Sequence, residues 1–258
     1  MEHLFRLDKK VAIVTGGYGH LGSAIARGLV EMGATVIVAA PNKAKYEKQF
    51  SDEEKKSIKF CELNILSDDS IKTCFETVSK NFDAIDILVN NAITLKSGIP
   101  ASVSRGDWNY SLDGVTNSLN SCIKYVIPYM ENKNGKIVNI SSMYGMVSPD
   151  FKVYDDYPQF FNSAQYGAAK AAVIQLTRYY SNYLASKKIR VNCITPGPFP
   201  SEAVQKEKGF IDLLEKKVPL KRIGVPNDLK GVAILLSSDA SGFITGQNII
   251  VDGGWTIV

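Results

Sequence analysis

The sequence predicts an α/β fold: a single doubly wound domain over residues 1–258, built on a mostly parallel, seven-stranded sheet. Three observations predict it. Short β-branched runs alternate with longer helical patterns almost to the end of the chain. The runs are nearly continuous apolar stretches, as expected of strands covered on both faces. No Pro/Gly/Ser-rich linker, internal repeat or low-complexity tract divides the 258 residues, a length that one large domain can fill.

In chain order, strands are expected at residues 11–14, 35–39, 58–61, 85–89, 136–140, 190–194 and 248–251. Helices are expected at 21–32, 68–82, 107–130, 163–185 and 227–236. Pro128, which lacks an amide proton, should kink or stop the third of these. The densest lysine run, residues 43–56, is interleaved with Glu47, Asp52, Glu53 and Glu54 and so reads as a solvated helix face.

The charge balance narrows the function. A net charge of +4 and a pI near 8.7 come from scattered lysines, which argues against a nucleic-acid partner. Cys61, Cys74, Cys122 and Cys193 lie far apart with no C-x-x-C spacing, and the chain has two histidines, so no metal site is expected. Reduced core thiols fit a cytoplasmic protein. The first ten residues contain Glu2, Arg6, Asp8 and two lysines, and the apolar run 11–14 is too short for a signal peptide or a membrane span.

Chemistry concentrates in three places. Tyr166 and Lys170, at i and i+4, share one helix face. An ammonium near a phenol favours the phenolate, lowering the phenol pKa from about 10 and preparing it for acid–base work. Upstream, a strand ends Ile140-Ser141-Ser142. Further upstream comes a glycine-rich strand-to-helix turn, Thr15-Gly16-Gly17-Tyr18-Gly19-His20-Leu21-Gly22, of the kind that brings backbone amides to a pyrophosphate. Tyr-x-x-x-Lys alone reads as an ordinary amphipathic helix, and a glycine turn alone as tight packing. Together and in this order they read as a catalytic centre.

Across nearly its whole length the chain resembles the short-chain dehydrogenase/reductase family. The family loop reads T-G-x-x-x-G-x-G, with His20 here at the middle glycine position. Asp86-Ile87-Leu88-Val89-Asn90-Asn91-Ala92 resembles the N-N-A-G segment, with Ile93 replacing the last glycine. Arg190 to Gly197 matches R-V-N-x-x-x-P-G, which borders the nicotinamide, and Thr245-Gly246-Gln247 and Asp252-Gly253-Gly254 match the C-terminal elements. The resemblance implies a Rossmann fold, a homotetramer, and NAD or NADP as cofactor. It makes Tyr166 the proton donor or acceptor at the reacting oxygen, Lys170 the group that lowers its pKa and reaches the nicotinamide ribose, and Ser142 the hydroxyl that holds substrate. It implies cofactor contacts from Gly16, Tyr18, His20, Leu21, Asn64, Ile65, Asn90, Ala92, Tyr166, Lys170, Pro196 and Gly197. The family asparagine that follows the helix-opening tryptophan by seven residues falls on Val115, with Asn117 and Asn120 near enough to substitute.

Cofactor preference is weakly encoded. The stretch Val38-Ala39-Ala40-Pro41-Asn42-Lys43 contains neither the acidic residue that favours NAD nor an arginine that favours NADP. The substrate signal is an insertion at about residues 147–162, between Ser142 and Tyr166, with Tyr154, Asp155, Asp156, Tyr157, Gln159 and Asn162. Aromatic faces mixed with carboxylates and amides suit a hydroxyl-rich ligand, although a surface or oligomer-contact loop reads equally well. The segment also resembles one in members linked to bacterial surface-sugar and flagellin-glycan biosynthesis. The expectation is an NAD(P)-dependent enzyme interconverting alcohol and carbonyl on a sugar or sugar nucleotide. A sugar acid or a 3-oxoacyl thioester is the alternative substrate, and a non-catalytic nucleotide-binding scaffold the alternative function.

Overall fold

The computed structural model describes every residue except Met1 and Asp83. The strands β1 (Val11–Thr15), β2 (Thr35–Ala40), β3 (Ile58–Glu62), β4 (Ile87–Asn90), β5 (Gly135–Ile140), β6 (Ile189–Pro196) and β7 (Asn248–Val251) form one parallel sheet. Its order is β3-β2-β1-β4-β5-β6-β7. The chain first winds one way from β1 to β3, then returns to the other side of β1 with β4. That reversal opens a crevice at the carboxyl ends of β1 and β4, where ligands bind in folds of this type.

The helices are α1 (His20–Glu31), α2 (Lys43–Gln49), α3 (Asp68–Phe82), α4 (Arg105–Leu112), α5 (Ser118–Met130), α6 (Ala164–Leu184), α7 (Lys208–Lys217) and α8 (Lys230–Ser237). Because side chains alternate across a strand, neighbouring residues of β1 serve different cores. Ile13 joins Phe75 of α3, Ile123 and Val126 of α5 and Val173 of α6 on one face. Ala12 and Val14 join Ile25 and Leu29 of α1 and Ala233 and Leu236 of α8 on the other. Burying each of the larger side chains is worth about 1.5–3 kcal/mol, so both faces hold the sheet.

Several boundaries differ from expectation. The helix expected at 107–130 is two helices joined by a π-helical turn, Asp113–Asn117. There the Thr94 amide donates to the Gly114 carbonyl at 3.1 Å, taking up an acceptor that a regular helix would use internally. Pro128 does not stop α5, which runs on to Met130. The lysine-rich run is helical only over α2, followed by a 3₁₀ turn at Glu54–Lys56. Helix α7 had no counterpart in the expected elements. No described helix is long and apolar enough to cross a membrane.

Candidate active site

The glycine-rich turn lies at the carboxyl end of β1 and leads directly into α1. Gly16 adopts φ +62°, and a Cβ there would meet Ala92 at about 3.1 Å, so glycine suits both the backbone conformation and the close approach of the segment that follows β4. Asn91 buckles the two strand ends together. Its Nδ2 donates to the Thr15 carbonyl at 2.9 Å, and the amides of Asn91 and Ala92 both donate to Thr15 Oγ1 at 3.0 Å. A cleft of about 490 Å³ opens beside this junction, with Gly16, Tyr18, Asn64, Ile65, Asn91 and Ala92 in its walls. Its far end is formed by Ala39, Ala40 and Pro41, and no charged side chain lines it among the described residues.

Not every expected cofactor residue reaches that cleft. Asn90 turns into the sheet, where its Nδ2 donates to Asn139 Oδ1 at 2.9 Å. His20 opens α1 and borders a separate groove with Tyr18, Arg27, Ser201 and Glu202. Burial lowers the His20 pKa, against the opposing pull of the Glu202 carboxylate and the Pro200 carbonyl. Gly197 packs against Asp252. Asn91 and Tyr110 line the cleft but were absent from the sequence expectation. The doubled asparagine after β4 was the available signal for Asn91; Tyr110 had none, because it reaches the cleft from α4 across the turn at Thr94, whose Oγ1 lies 2.9 Å from its hydroxyl.

Ser142, Tyr166 and Lys170 do come together. Parallel pairing ends β5 at Ile140, so Ser141 and Ser142 leave the sheet facing α6. Ser141 Oγ donates to the Lys170 carbonyl at 2.7 Å and anchors the helix backbone. Ser142 Oγ accepts from the Tyr144 amide at 3.2 Å and hydrogen-bonds the Tyr166 phenol. Of the two serines, only Ser142 faces the phenol. Lys170 is buried; its Nζ donates to the Ile140 carbonyl at 2.7 Å and lies 5.8 Å from the Tyr166 ring centroid.

The electrostatics overturn one expectation. Burial raises the Tyr166 pKa above its ordinary value, opposed only by the Ser142 hydrogen bond. The same burial pushes Lys170 down to about 8. The Lys170 ammonium, which donates to the Ile140 carbonyl, does not offset the phenol's loss of water. Burial, not the Lys170 ammonium, therefore sets the direction of the phenol's shift.

Asn117 and Asn120, the residues near enough to stand in for the family asparagine, are each bonded to other side chains. Asn117 Nδ2 donates to Asp113 Oδ1 at 2.5 Å, and Asn120 Oδ1 accepts from the Tyr180 hydroxyl at 2.5 Å. Val115, on the π turn, is buried and lines a water-sized void of about 10 Å³ with Lys170, Leu119 and Ile140.

The insertion forms two 3₁₀ turns, Phe151–Tyr154 and Pro158–Phe160. Its inner side, Val153, Tyr154, Tyr157 and Phe160, packs with Phe210 and Leu214 of α7 and with Trp255. Asp150 pairs with Lys217 at the end of α7. Tyr166 packs against the same cluster, so the insertion does flank the site. Its polar residues are arranged otherwise than expected: Asp155, Asp156 and Gln159 face solvent. What the insertion brings inward is mostly aromatic, together with Val153 and the buried Oδ1 of Asn162.

Residues 19–256 match the family model described as enoyl-(acyl carrier protein) reductase. The chain is 34% identical to the 3-oxoacyl-(acyl-carrier-protein) reductase of Thermotoga maritima, over 98% of this chain and all of that one. The chain belongs to the short-chain dehydrogenase/reductase family. It is also 32% identical to the 2-dehydro-3-deoxy-D-gluconate 5-dehydrogenase of Formosa agariphila, over 97% of this chain and 94% of that one. A solved gluconate 5-dehydrogenase from Burkholderia cenocepacia, in complex with NADP and tartrate, superposes with a TM-score of 0.89 at 28% identity, covering 100% and 99% of the two chains.

As a short-chain dehydrogenase/reductase the chain is an oxidoreductase that uses NAD or NADP. The residues present fit such a cofactor: an uncharged cleft with apolar walls adjoins a glycine turn at the start of a twelve-residue helix. When bound, the nicotinamide supplies or accepts a hydride. The protein contributes placement and proton handling.

Proposed function

We propose that this enzyme interconverts a secondary alcohol and a carbonyl on a sugar-derived substrate, a sugar or sugar acid. Tyr166 gives or takes the proton at the reacting oxygen, Ser142 holds that oxygen through its hydroxyl, and Lys170 holds the ribose side of the cofactor and balances charge as the phenol ionises. Gly16, Tyr18 and the start of α1 hold the pyrophosphate. Ala40, Asn64 and Ile65 hold the adenosine, and Ala92, Pro196 and Gly197 border the nicotinamide. The observation that carries the substrate reading is the insertion, which sets the Tyr154 phenol into the cluster around Tyr166. Two gluconate-related relatives, one of them solved with the hydroxy acid tartrate, support it.

A 3-oxoacyl thioester is the second reading, favoured by the 34% identity to the Thermotoga enzyme. Steady-state assays with gluconate, aldoses, a sugar nucleotide and acetoacetyl-CoA, each with NAD(H) and NADP(H), separate the two. A kcat/KM for acetoacetyl-CoA above that of every hydroxylated compound would overturn the sugar reading. We place the enzyme in the cytoplasm, as one domain in a homo-oligomer. Exposed Tyr179 and Tyr183 on α6, stacked at 6.2 Å, and exposed Phe243, Ile257 and Val258 near the carboxyl end support self-association.

A further inference from the structure

We propose that Tyr144 is a specificity-determining residue. Its hydroxyl, positioned by Tyr154, recognises a second oxygen of the substrate beyond the one that faces Tyr166. The inference rests on the sugar-derived reading above and names the feature of the substrate that the site selects.

Tyr144 follows Ser142 by two residues, and Tyr154 comes from the insertion. Their hydroxyls lie 2.7 Å apart in a buried hydrogen bond. Around them stand Met143, Val153, Phe210, Leu214 and Trp255, none of which offers a side-chain oxygen, and Tyr157 and Tyr166 pack on the same cluster. The Tyr144 and Tyr154 phenols lie near enough to Tyr166 for its charge to act on them. Four phenols, Tyr157 among them, therefore gather on one largely apolar region, and one of them, Tyr166, lies beside Ser142.

The hydrogen-bond count leaves a remainder. Each phenol has one O–H to give and lone pairs to offer. The bond between Tyr144 and Tyr154 consumes one O–H, and neither hydroxyl has another partner among the described residues. One O–H and the second oxygen's lone pairs are left over in an aromatic setting, where unmatched polar groups are costly. A hydroxyl or carboxylate on the substrate would match them, whereas a hydrocarbon chain would leave them unmatched. Sites built to bond a substrate hydroxyl reject analogues lacking it far more strongly than apolar pockets reject extra methylenes.

The pair is also held in place. Tyr154 sits in a 3₁₀ turn whose flanks are tied to α7 by Asp150–Lys217 and by the aromatic contacts of Tyr154, Tyr157 and Phe160 with Phe210. Tyr154 thus acts as a positioning residue for Tyr144, and the insertion as the element that supplies it.

The test compares the full chain with Tyr144→Phe and Tyr154→Phe, oxidising a polyhydroxylated substrate and its deoxy analogue with the same cofactor. Circular dichroism and cofactor Kd by fluorescence confirm that each variant is folded and binds nucleotide. We expect the ratio of kcat/KM for the hydroxylated over the deoxy substrate to fall about tenfold or more in Tyr144→Phe, chiefly through KM. A smaller fall in the same direction is expected for Tyr154→Phe. Equal losses on both substrates would make the pair structural and overturn the inference while leaving the sugar reading intact. If the wild-type protein itself prefers the deoxy compound or an acyl thioester, the substrate reading fails first and the inference falls with it.

Discussion

At the scale of single residues, Tyr166 and Lys170 divide the chemistry between a phenol made reluctant to ionise and an amine made reluctant to hold its proton. Tyr166→Phe removes the hydroxyl that meets Ser142 but none of the cleft walls. It should lower turnover by at least three orders of magnitude while cofactor Kd shifts less than about threefold; near-normal turnover would remove Tyr166 from the acid–base role. Lys170 makes a second prediction. Its folded pKa of about 8 lies below its ordinary 10.5. Below pH 8 both the folded and unfolded chains carry the proton, and the burial penalty is fully present. Between about 8 and 10.5 the unfolded chain keeps the proton and the folded one loses it, so this residue's contribution to stability rises with pH. Over the whole window the gain is about 3 kcal/mol. Urea melts at pH 7.5 and 9.5 should show wild type gaining on Lys170→Met, and parallel courses would refute the burial argument. The spacing Tyr-x-x-x-Lys made these residues legible in sequence. Their pKa directions were not, because desolvation belongs to the packed state and a four-residue interval carries no record of it. Asn90 illustrates the same limit: its motif was readable, but its rotation toward Asn139 is decided by the neighbouring strand.

Among elements, strands were read better than helices. Continuous apolar runs identify buried parallel strands almost regardless of context, whereas the break in the helix expected at 107–130 depends on the Thr94 amide approaching from another segment. Helix α7 escaped notice because it buries only Phe210 and Leu214, too thin a stripe among Lys208, Glu215, Lys216 and Lys217 to stand out. Its partner is the insertion, itself legible as extra length but not in orientation: Asp155 and Asp156 turn to solvent while the aromatics turn inward. The fit between the two can be tested at Gly209. A Cβ there would lie 2.1 Å from the Tyr157 hydroxyl. Gly209→Ala should therefore displace Tyr157 and cost about 1 kcal/mol or more despite alanine's better helix propensity. In a Tyr157→Phe background the obstructing oxygen is gone, and most of that cost should disappear. Equal costs in both backgrounds, measured by urea denaturation, would show that the two elements are not packed this closely.

For the whole molecule, the four cysteines report on how the two cores and the cleft are coupled. Cys74, Cys122 and Cys193 are buried in one core, whereas Cys61 is half-buried beside it at the end of β3. A hydrogen bond with Cys74 lowers the Cys61 pKa, while burial raises Cys122 to about 12 and Cys193 to about 11. Reactivity follows thiolate and access, so a disulfide reagent should label one thiol quickly in the native protein. The other three should react only as the molecule opens. Two of these lie on helices and one on an interior strand, so their labelling reports global unfolding rather than fraying of one edge. A cofactor that binds only the folded chain should, at a hundred times its Kd, stabilise that state by about 2.7 kcal/mol. Labelling of all three buried thiols should then slow by about a hundredfold, while the fast phase at Cys61 changes far less. Mass spectrometry of peptides from quenched time points distinguishes the sites. Slowing confined to Cys193, on the strand beside Lys170, would mean that the cofactor protects its own surroundings and that the sheet does not unfold as one unit.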